Sequence, residues 1–305
     1  MDVLDSSAKA LDFAVEDRRA TRWRKILRKL LENKGAVFGL IMVLGVIFCA
    51  TFSPLISPHD PILQDVEKRL IPPMWQDGAD PNYLLGTDHL GRDIVSRLIY
   101  GARISIVVSV SAVALSAILG TLIGLFSGFY GGKVDSVFMR LADVQLAFPF
   151  ILLAIAIIAV LGPNLQNIII VMGITGWVIY ARVVRAEVLS LREKEFIMSV
   201  RALGGSNGRI IFRHLLPNVI PPIVVIVTLE MARMIIMEAA LSFLGLGIQP
   251  PTPTWGGMLA DGRVYLATSW WLATFPGLVI MVVVLGINLL GNWLRDMLDP
   301  RLTQL

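Results

Sequence analysis

Residues 36–56 read AVFGLIMVLGVIFCATFSPLI, without one charged side chain. About 20 apolar residues are what an α-helix needs to cross a hydrocarbon layer about 30 Å thick. In lipid a lone segment must satisfy its own backbone N–H and C=O groups, which a helix does and an isolated strand does not. This stretch therefore reads as a transmembrane helix. Working outward, five more stretches of similar character follow at about 104–126, 141–161, 165–181, 219–241 and 272–294. Asp143 interrupts the third near its start, the fourth is short, and the fifth carries Glu230, Arg233 and Glu238. The expected fold is an all-α integral membrane protein with six transmembrane helices.

Composition agrees. The 305 residues are 55% hydrophobic and only 16% charged, against about 25% charged in soluble domains; mean hydropathy is +0.72. Much of the surface is therefore expected never to meet water, which argues against a soluble enzyme and against disorder. The balance of 27 Lys and Arg against 23 Asp and Glu is too even to suggest a nucleic-acid partner. Cys49 is the single cysteine, so neither a disulfide framework nor a thiolate metal site is expected. The first 35 residues lack the short apolar core of a cleaved signal peptide, and the first span is expected to double as an uncleaved anchor.

The charges fix the expected orientation, because basic residues stay on the cytoplasmic side. Arg19, Arg22, Arg24, Lys25, Arg28, Lys29 and Lys34 precede the first span, and Arg182, Arg185, Arg192, Lys194, Arg201, Arg209 and Arg213 lie between the fourth and fifth. Segment 57–91 carries only Lys68 and Arg69 against six acids, and 242–271 only Asp261 and Arg263. Both termini are expected in the cytoplasm, with loops 57–103 and 242–271 outside. The expected organisation is a basic cytoplasmic segment at 1–35, a first span with its external loop at 36–103, a five-helix core at 104–294 with a long loop at 182–217, and a cytoplasmic tail at 295–305. Trp23, Ile26, Leu27, Leu30 and Leu31 have helical spacing, suiting either a helix on the membrane surface or a flexible tail.

The loop at 182–217 is far longer than a helix–helix connector needs. Phe196, Ile197, Val200 and Leu203 fall at i, i+1, i+4 and i+7, one apolar face of a short helix. Gly204 and Gly205 offer the positive φ that stops it. Ser206 can cap a second helix ending before Pro217. Such a helix suits docking into a groove on a soluble partner; the alternative is packing against its own chain or the bilayer.

Arg201-Ala202-Leu203-Gly204, followed by Arg213-His214-Leu215-Leu216-Pro217-Asn218, resembles the EAA loop of binding-protein-dependent ABC importer permeases. Gly204, Leu216 and Pro217 match that pattern in register. Met198, Ser199 and Val200 stand where Glu-Ala-Ala is usual, and His214 where an isoleucine is usual. Leu85-Gly86-Thr87-Asp88-His89-Leu90-Gly91-Arg92-Asp93 is similar to the loop before the second span of dipeptide/oligopeptide permeases of the C type. So are 241–247, 249–256 (with Thr254 in place of an expected glutamate) and 294–300. The resemblance implies a type I, MetI-like permease fold in the bacterial cytoplasmic membrane. It further implies a homologous second permease as heterodimer partner, two ATPase subunits that hold the ATP and magnesium, and an extracytoplasmic binding protein. No cofactor is implied in this chain. The coupling residues it points to are Phe196, Ile197, Val200, Arg201, Ala202, Leu203, Gly204, Gly205 and Pro217. Substrate stays open among peptides, glutathione, opines, short sugars and nickel chelates.

Other chemistries fit less well. Gly128-Phe129-Tyr130-Gly131-Gly132-Lys133 lacks the first glycine and the hydroxyl after lysine of a phosphate loop, and reads as a tight turn. Asp88, His89, Asp93, His59 and Asp60 have no recognised metal-ligand spacing; Asp88 can instead begin a helix. Asp143 is expected to pair with Arg140. Trp255, Trp270 and Trp271 read as an interfacial aromatic belt. Ionisable groups within a span default to function. Glu230, Arg233, Met237 and Glu238 are candidate translocation-path residues, or else Glu230, Arg233 and Glu238 form a neutralised network joining helices. An ion-gradient carrier using that charge stripe is the alternative function.

Overall fold

The computed structural model describes residues 26–298. The basic residues before 26, Trp23 and the motif end at 299–300 lie outside them. After a helical turn at 26–32, helix α1 covers Lys34–Ile56, begun by the Asn33 side chain, which accepts from the Ala36 N–H at 3.0 Å. A long loop leads to α2, Ile94–Tyr130. Then come α3, Gly132–Leu146, α4, Phe150–Leu161, and α5, Leu165–Leu191. Short α6, Glu195–Ala202, precedes α7, Asn207–Phe243. A second loop holds α8, Trp255–Gly262, and α9, Trp271–Leu298, closes the described chain.

Five of these helices are long and apolar enough to cross a membrane, or six if the bent pair α3–α4 counts as one span. That pair corrects the straight third span expected at 141–161: its halves meet at 91°. Pro149 causes the break. It sits in an extended conformation ahead of α4, and a proline pushes the residue before it out of the helical region. The second and fourth spans also exceed their apolar cores. α2 has 37 residues, about 55 Å of helix, because Ser96 and Arg97 in its first turns are buried and bonded. α5 continues past Ala181 because α3 supplies carboxylates for its arginines.

Small residues bring the helices together. On α2, Gly120, Gly124 and Gly128 recur every fourth position. A Cβ at Gly120 would lie 2.4 Å from the Trp177 carbonyl oxygen, and one at Gly124 2.7 Å from that of Ala181. α5 reciprocates with Gly173 and Gly176, against Leu115 and Ser116 of α2; the Ser116 hydroxyl donates to the Gly173 carbonyl at 2.9 Å. This is the small-xxx-small packing that lets transmembrane backbones touch. α1 crosses α9 the same way, with Gly39 on Gly286.

Gly124→Leu should force α2 and α5 apart and cost at least the 1–3 kcal/mol typical of overpacking. Gly45→Ala, where an added Cβ meets nothing within 4 Å, should be neutral. Thermal unfolding of the two detergent-solubilised variants checks the contrast.

Candidate functional site

The 182–217 loop contains a short helix with a firm C-terminal stop. α6 stops in a Schellman turn: Gly204, at φ +77°, donates to the Arg201 carbonyl at 3.0 Å, and Gly205 to that of Val200 at 2.9 Å. Ser206 then caps the next helix through the Arg209 N–H, as its sequence position predicts. The four apolar side chains do not share one face, however. Ile197 is fully buried and Val200 packs beside it, against Leu125, Val184, Val188 and Ile211. Phe196 and Leu203 point outward, 43% and 88% exposed, together with Met198 at 49%. Adjacent positions on an α-helix are 100° apart, so Phe196 and Ile197 diverge. Arg201 lies over the Phe129 ring at 5.8 Å, Ala202 and Gly204 are exposed and Gly205 rests on Val200.

The second helix does not end before Pro217. It runs on through Pro217 into α7 after a widened π-helical turn at Ile210–Leu215, where the Leu216 N–H reaches back five residues to the Ile211 carbonyl. Proline lacks the N–H that would continue the α-helical ladder, and one wide turn absorbs the mismatch. The Asn218 side chain satisfies the His214 carbonyl at 2.6 Å.

The intramembrane charges form two separate groups. Glu238, 1% exposed, accepts from the Ser105 hydroxyl at 3.0 Å and the Ser242 hydroxyl at 2.8 Å. Glu230 is buried, with Arg233 Nη1 at 3.4 Å from both of its oxygens. Eight residues turn an α-helix by about 80° beyond two full turns, so Glu238 leaves the Glu230 side and the expected stripe divides. Met237 packs partly buried in the α2–α4–α5 cluster. Among these four, only Arg233 presents an open side chain, 49% exposed. Tyr180 of α5 is fully buried with its hydroxyl unpaired.

Two further ion pairs bind α3 to α5. Asp135 is held by the Arg185 guanidinium, with Nη2 at 2.6 Å, and by the Ser127 hydroxyl. Asp143 pairs with Arg182 at 2.6 Å rather than with Arg140; Arg182 reaches it from the helix alongside. These pairs span 50 and 39 residues, a separation that leaves no local pattern to read.

At the opposite end of the bundle, the 85–93 motif builds a closed cap. Gly86 and Gly91 have φ of +82° and +77°, and a side chain at either would strike the backbone of Ile71 or Asp65. Thr87 donates to the Lys68 carbonyl at 2.5 Å and accepts from the Ile71 N–H at 2.9 Å. The helix cap is Asp93, not Asp88: its carboxylate accepts from the Ser96 N–H at 2.8 Å. Asp88, 1% exposed, instead bridges two buried guanidiniums, Arg92 Nε at 2.7 Å and Arg97 Nη1. Asp261 from the second loop lies 3.5–3.6 Å from the same arginines. Trp255 and Trp271 are buried here too, donating to the Leu98 and Thr87 carbonyls at 3.0 and 3.2 Å. They join the loops rather than forming a belt; Trp270 alone of the three is exposed, at 37%. Among the described residues no cluster of three or more His, Cys, Asp or Glu side chains is arranged to hold a metal.

A family model described as "Binding-protein-dependent transport system inner membrane component" matches residues 120–304. A second, "N-terminal TM domain of oligopeptide transport permease C", matches residues 21–73. The chain belongs to the binding-protein-dependent inner membrane permeases. It is 44% identical over 92% of both chains to the "Di/tripeptide transport system permease protein DppC" of Pseudomonas aeruginosa. To the "Dipeptide transport system permease protein DppC" of Alkalihalophilus pseudofirmus it is 46% identical, covering 92% of this chain and 90% of that one. The protein of the same description in Escherichia coli is 43% identical, with 89% and 91% covered. A solved structure titled for inward-facing conformations of the MetNI methionine ABC transporter shares the fold, with TM-score 0.53 and 17% identity over 67% of this chain and 96% of that one. The chain is thus a permease subunit of an ABC importer, a multi-pass inner-membrane protein and not itself an enzyme.

In this permease the charge that is easiest to test is Asp88. Burial alone would raise its carboxyl, but Arg97, Arg92 and the backbone N–H groups of Arg92 and Leu90 outweigh burial and hold it below the usual carboxylate range. A carboxyl depressed on folding stabilises the fold above its unfolded value, about pH 3.9, and loses that contribution as pH falls through the folded value. Asp88→Asn should therefore cost about 3–5 kcal/mol at neutral pH, since two buried guanidiniums lose their shared partner. It should also flatten this part of the acid limb. Unfolding followed from pH 7 down to about pH 3 in wild type and variant checks both.

Proposed function

We propose that this permease carries di- or oligopeptides inward across the cytoplasmic membrane, in a heterodimer with a homologous permease. In this reading the bent pair counts as the third of six spans and both termini lie in the cytoplasm. The 182–217 loop faces the ATPases and the 57–93 and 242–270 loops face a binding protein outside. The organisation follows as a basic segment at 1–35, a first span and cap at 36–103, a five-span core at 104–294 and a tail at 295–305. Two ATPase subunits would hold ATP and magnesium; this chain supplies no cofactor. The peptide assignment draws its support from the substrates named for relatives that are 42–46% identical across nearly the whole chain.

One observation carries the mechanism: α6 is bolted to the core on one side and apolar and open on the other. Ile197, Val200 and Arg201 hold it to α2, α5 and the wide turn of α7. Phe196, Met198 and Leu203 remain for a partner's cleft, and Ala202, with no side chain beyond Cβ, lets that partner approach closely. Met198 occupies the family's glutamate position, which makes the contact apolar where a charge is usual. Gly204 and Gly205 stop the helix and Pro217 imposes the wide turn, so movement of the ATPases would pass through a short rigid piece into α5 and α7. That transmission suits alternating access, where the spans open outward on ATP binding and reset on hydrolysis. Along the path, Arg233 is the residue placed to meet a substrate, with Glu230 as its positioning residue. Glu238 and Met237 support the helix packing behind it.

Leu203→Asp and Phe196→Asp should reduce peptide-stimulated ATP hydrolysis by the reconstituted importer about 30-fold, with thermal stability unchanged; a hot-spot contact of roughly 2 kcal/mol gives that factor. Ile197→Ala should do the reverse, lowering stability by about 2–5 kcal/mol. Stimulated hydrolysis at wild-type level in both aspartate variants, with the ATPases still bound, would exclude α6 as the coupling element.

A further inference from the structure

Helices α1 and α2 jointly line three cavities along their seam, and two of them, a polar one at the loop end and an apolar one further along, have no part in the transport proposed above. The first, about 620 Å³, opens where α1 ends and α2 begins, and is closed on a third side by Thr252 and Pro253. It presents opposite charges: the exposed Arg103 guanidinium and the Asp60 carboxylate, with Tyr100 and His59 between the loop and helix walls. No carboxylate of the described residues comes within ion-pair distance of Arg103. Pro54 and Ile104 in its lining belong to membrane-crossing helices, whereas Asp60 and Thr252 belong to loops. The cavity therefore straddles the edge of the hydrocarbon layer.

The second cavity, about 220 Å³, lies among four helices: Val43, Val46 and Ile47 of α1 and Ile106 and Val110 of α2 line its near side, and α7 and α9 close it behind. α1 and α2 run in opposite directions. Ile47 is about 10 Å down α1 from Pro54, and Val110 about 9 Å down α2 from Ile104, at 1.5 Å per residue. The apolar cavity thus lies one step deeper along the same seam, and Ile47 and Val110, each 47% exposed, form its open edge. Arg103, Val107 and Val110 follow one another along the exposed side of α2. A cation at the rim with apolar positions beneath it is where a long basic side chain meets a lipid phosphate.

We propose that this seam binds one glycerophospholipid with a primary-amine headgroup. Arg103 takes the phosphodiester, since a guanidinium's fixed donors match phosphate oxygens. Asp60 takes the ammonium, whose N–H donors a trimethylammonium head lacks, and one acyl chain enters the apolar cavity. A zwitterionic peptide would satisfy the polar cavity equally well, but nothing in a peptide backbone calls for the apolar one below it. The inference does not depend on what the importer carries.

The test uses the assembled importer in vesicles containing a phosphatidylethanolamine with a photoactivatable acyl chain, compared with a phosphatidylcholine carrying the same chain. After irradiation, labelling is mapped by mass spectrometry. The ethanolamine probe should label segments 43–62 and 100–110 about tenfold above the choline probe, the factor expected for a charge-assisted hydrogen bond. Asp60→Asn should remove that preference, whereas Arg103→Gln, which acts on the phosphodiester both probes share, should lower labelling by both. Val110→Trp, which fills the apolar cavity without touching the polar one, should reduce labelling of 43–47 by both probes and leave the headgroup preference intact; undiminished labelling of 43–47 would overturn the proposal even if Arg103→Gln does not fold. Equal labelling by both probes, or a preference that survives Asp60→Asn, would reduce the seam to ordinary boundary lipid and overturn the proposal. Displacement of the probe by added dipeptide would overturn it in favour of a peptide site.

Discussion

The α5 carbonyl oxygens of Trp177 and Ala181 sit 2.4–2.7 Å from where side chains would begin on α2, and the rest of the bundle is arranged around that contact. Lipid gives helices no hydrophobic reason to associate, so close van der Waals fit must do it. Gly120, Gly124 and Gly128 on one side and Gly173 and Gly176 on the other allow the backbones themselves to meet. The same approach brings α3 against α5, because the turn at Gly131 and Gly132 returns the chain along the pair. It also sets the shelf of Leu125, Val184 and Val188 on which α6 rests. α7 and α9 then pack around the outside.

Carboxylates beside the helices are paired with arginines, some from the neighbouring helix and some from the same turn of chain. Asp135 meets Arg185, Asp143 meets Arg182, and Asp88 meets Arg92 and Arg97. Glu238 has only serine hydroxyls. Each arrangement lets a polar residue lie within or beside an apolar helix without standing alone in a medium that would penalise it heavily. Arg233 and Arg103 stay open: Arg233 is half exposed with long contacts to Glu230 only, and no carboxylate of the described residues reaches Arg103.

Spans were legible in the sequence because hydrocarbon thickness imposes a length and a composition that no local propensity disguises. α1 and α9 follow their apolar stretches closely. α5 extends beyond its own because an arginine that ends an apolar run need not end a helix when a carboxylate waits on the next one, and α2 because its first turns are bonded into the 85–93 cap. The break at Pro149 had a signal in the proline itself, overridden by the apolar residues on either side. In the loop, the Gly204 stop and the Ser206 cap follow directly from backbone chemistry. The division of Phe196 from Ile197 does not, since at adjacent positions only the packed neighbour decides which side is inside. The glycine ladder of α2 was readable at four-residue spacing, yet its meaning depends on α5, some fifty residues away.

The glycine seam also has a mechanical consequence. Side chains in an ordinary interface are springs: rotamers shift and absorb a displacement before it travels far. Where two backbones touch with nothing between them there is no such cushion. α2 and α5 therefore behave as a single strut, and any push arriving on the shelf beneath α6 is delivered along its whole length rather than dissipated at its foot.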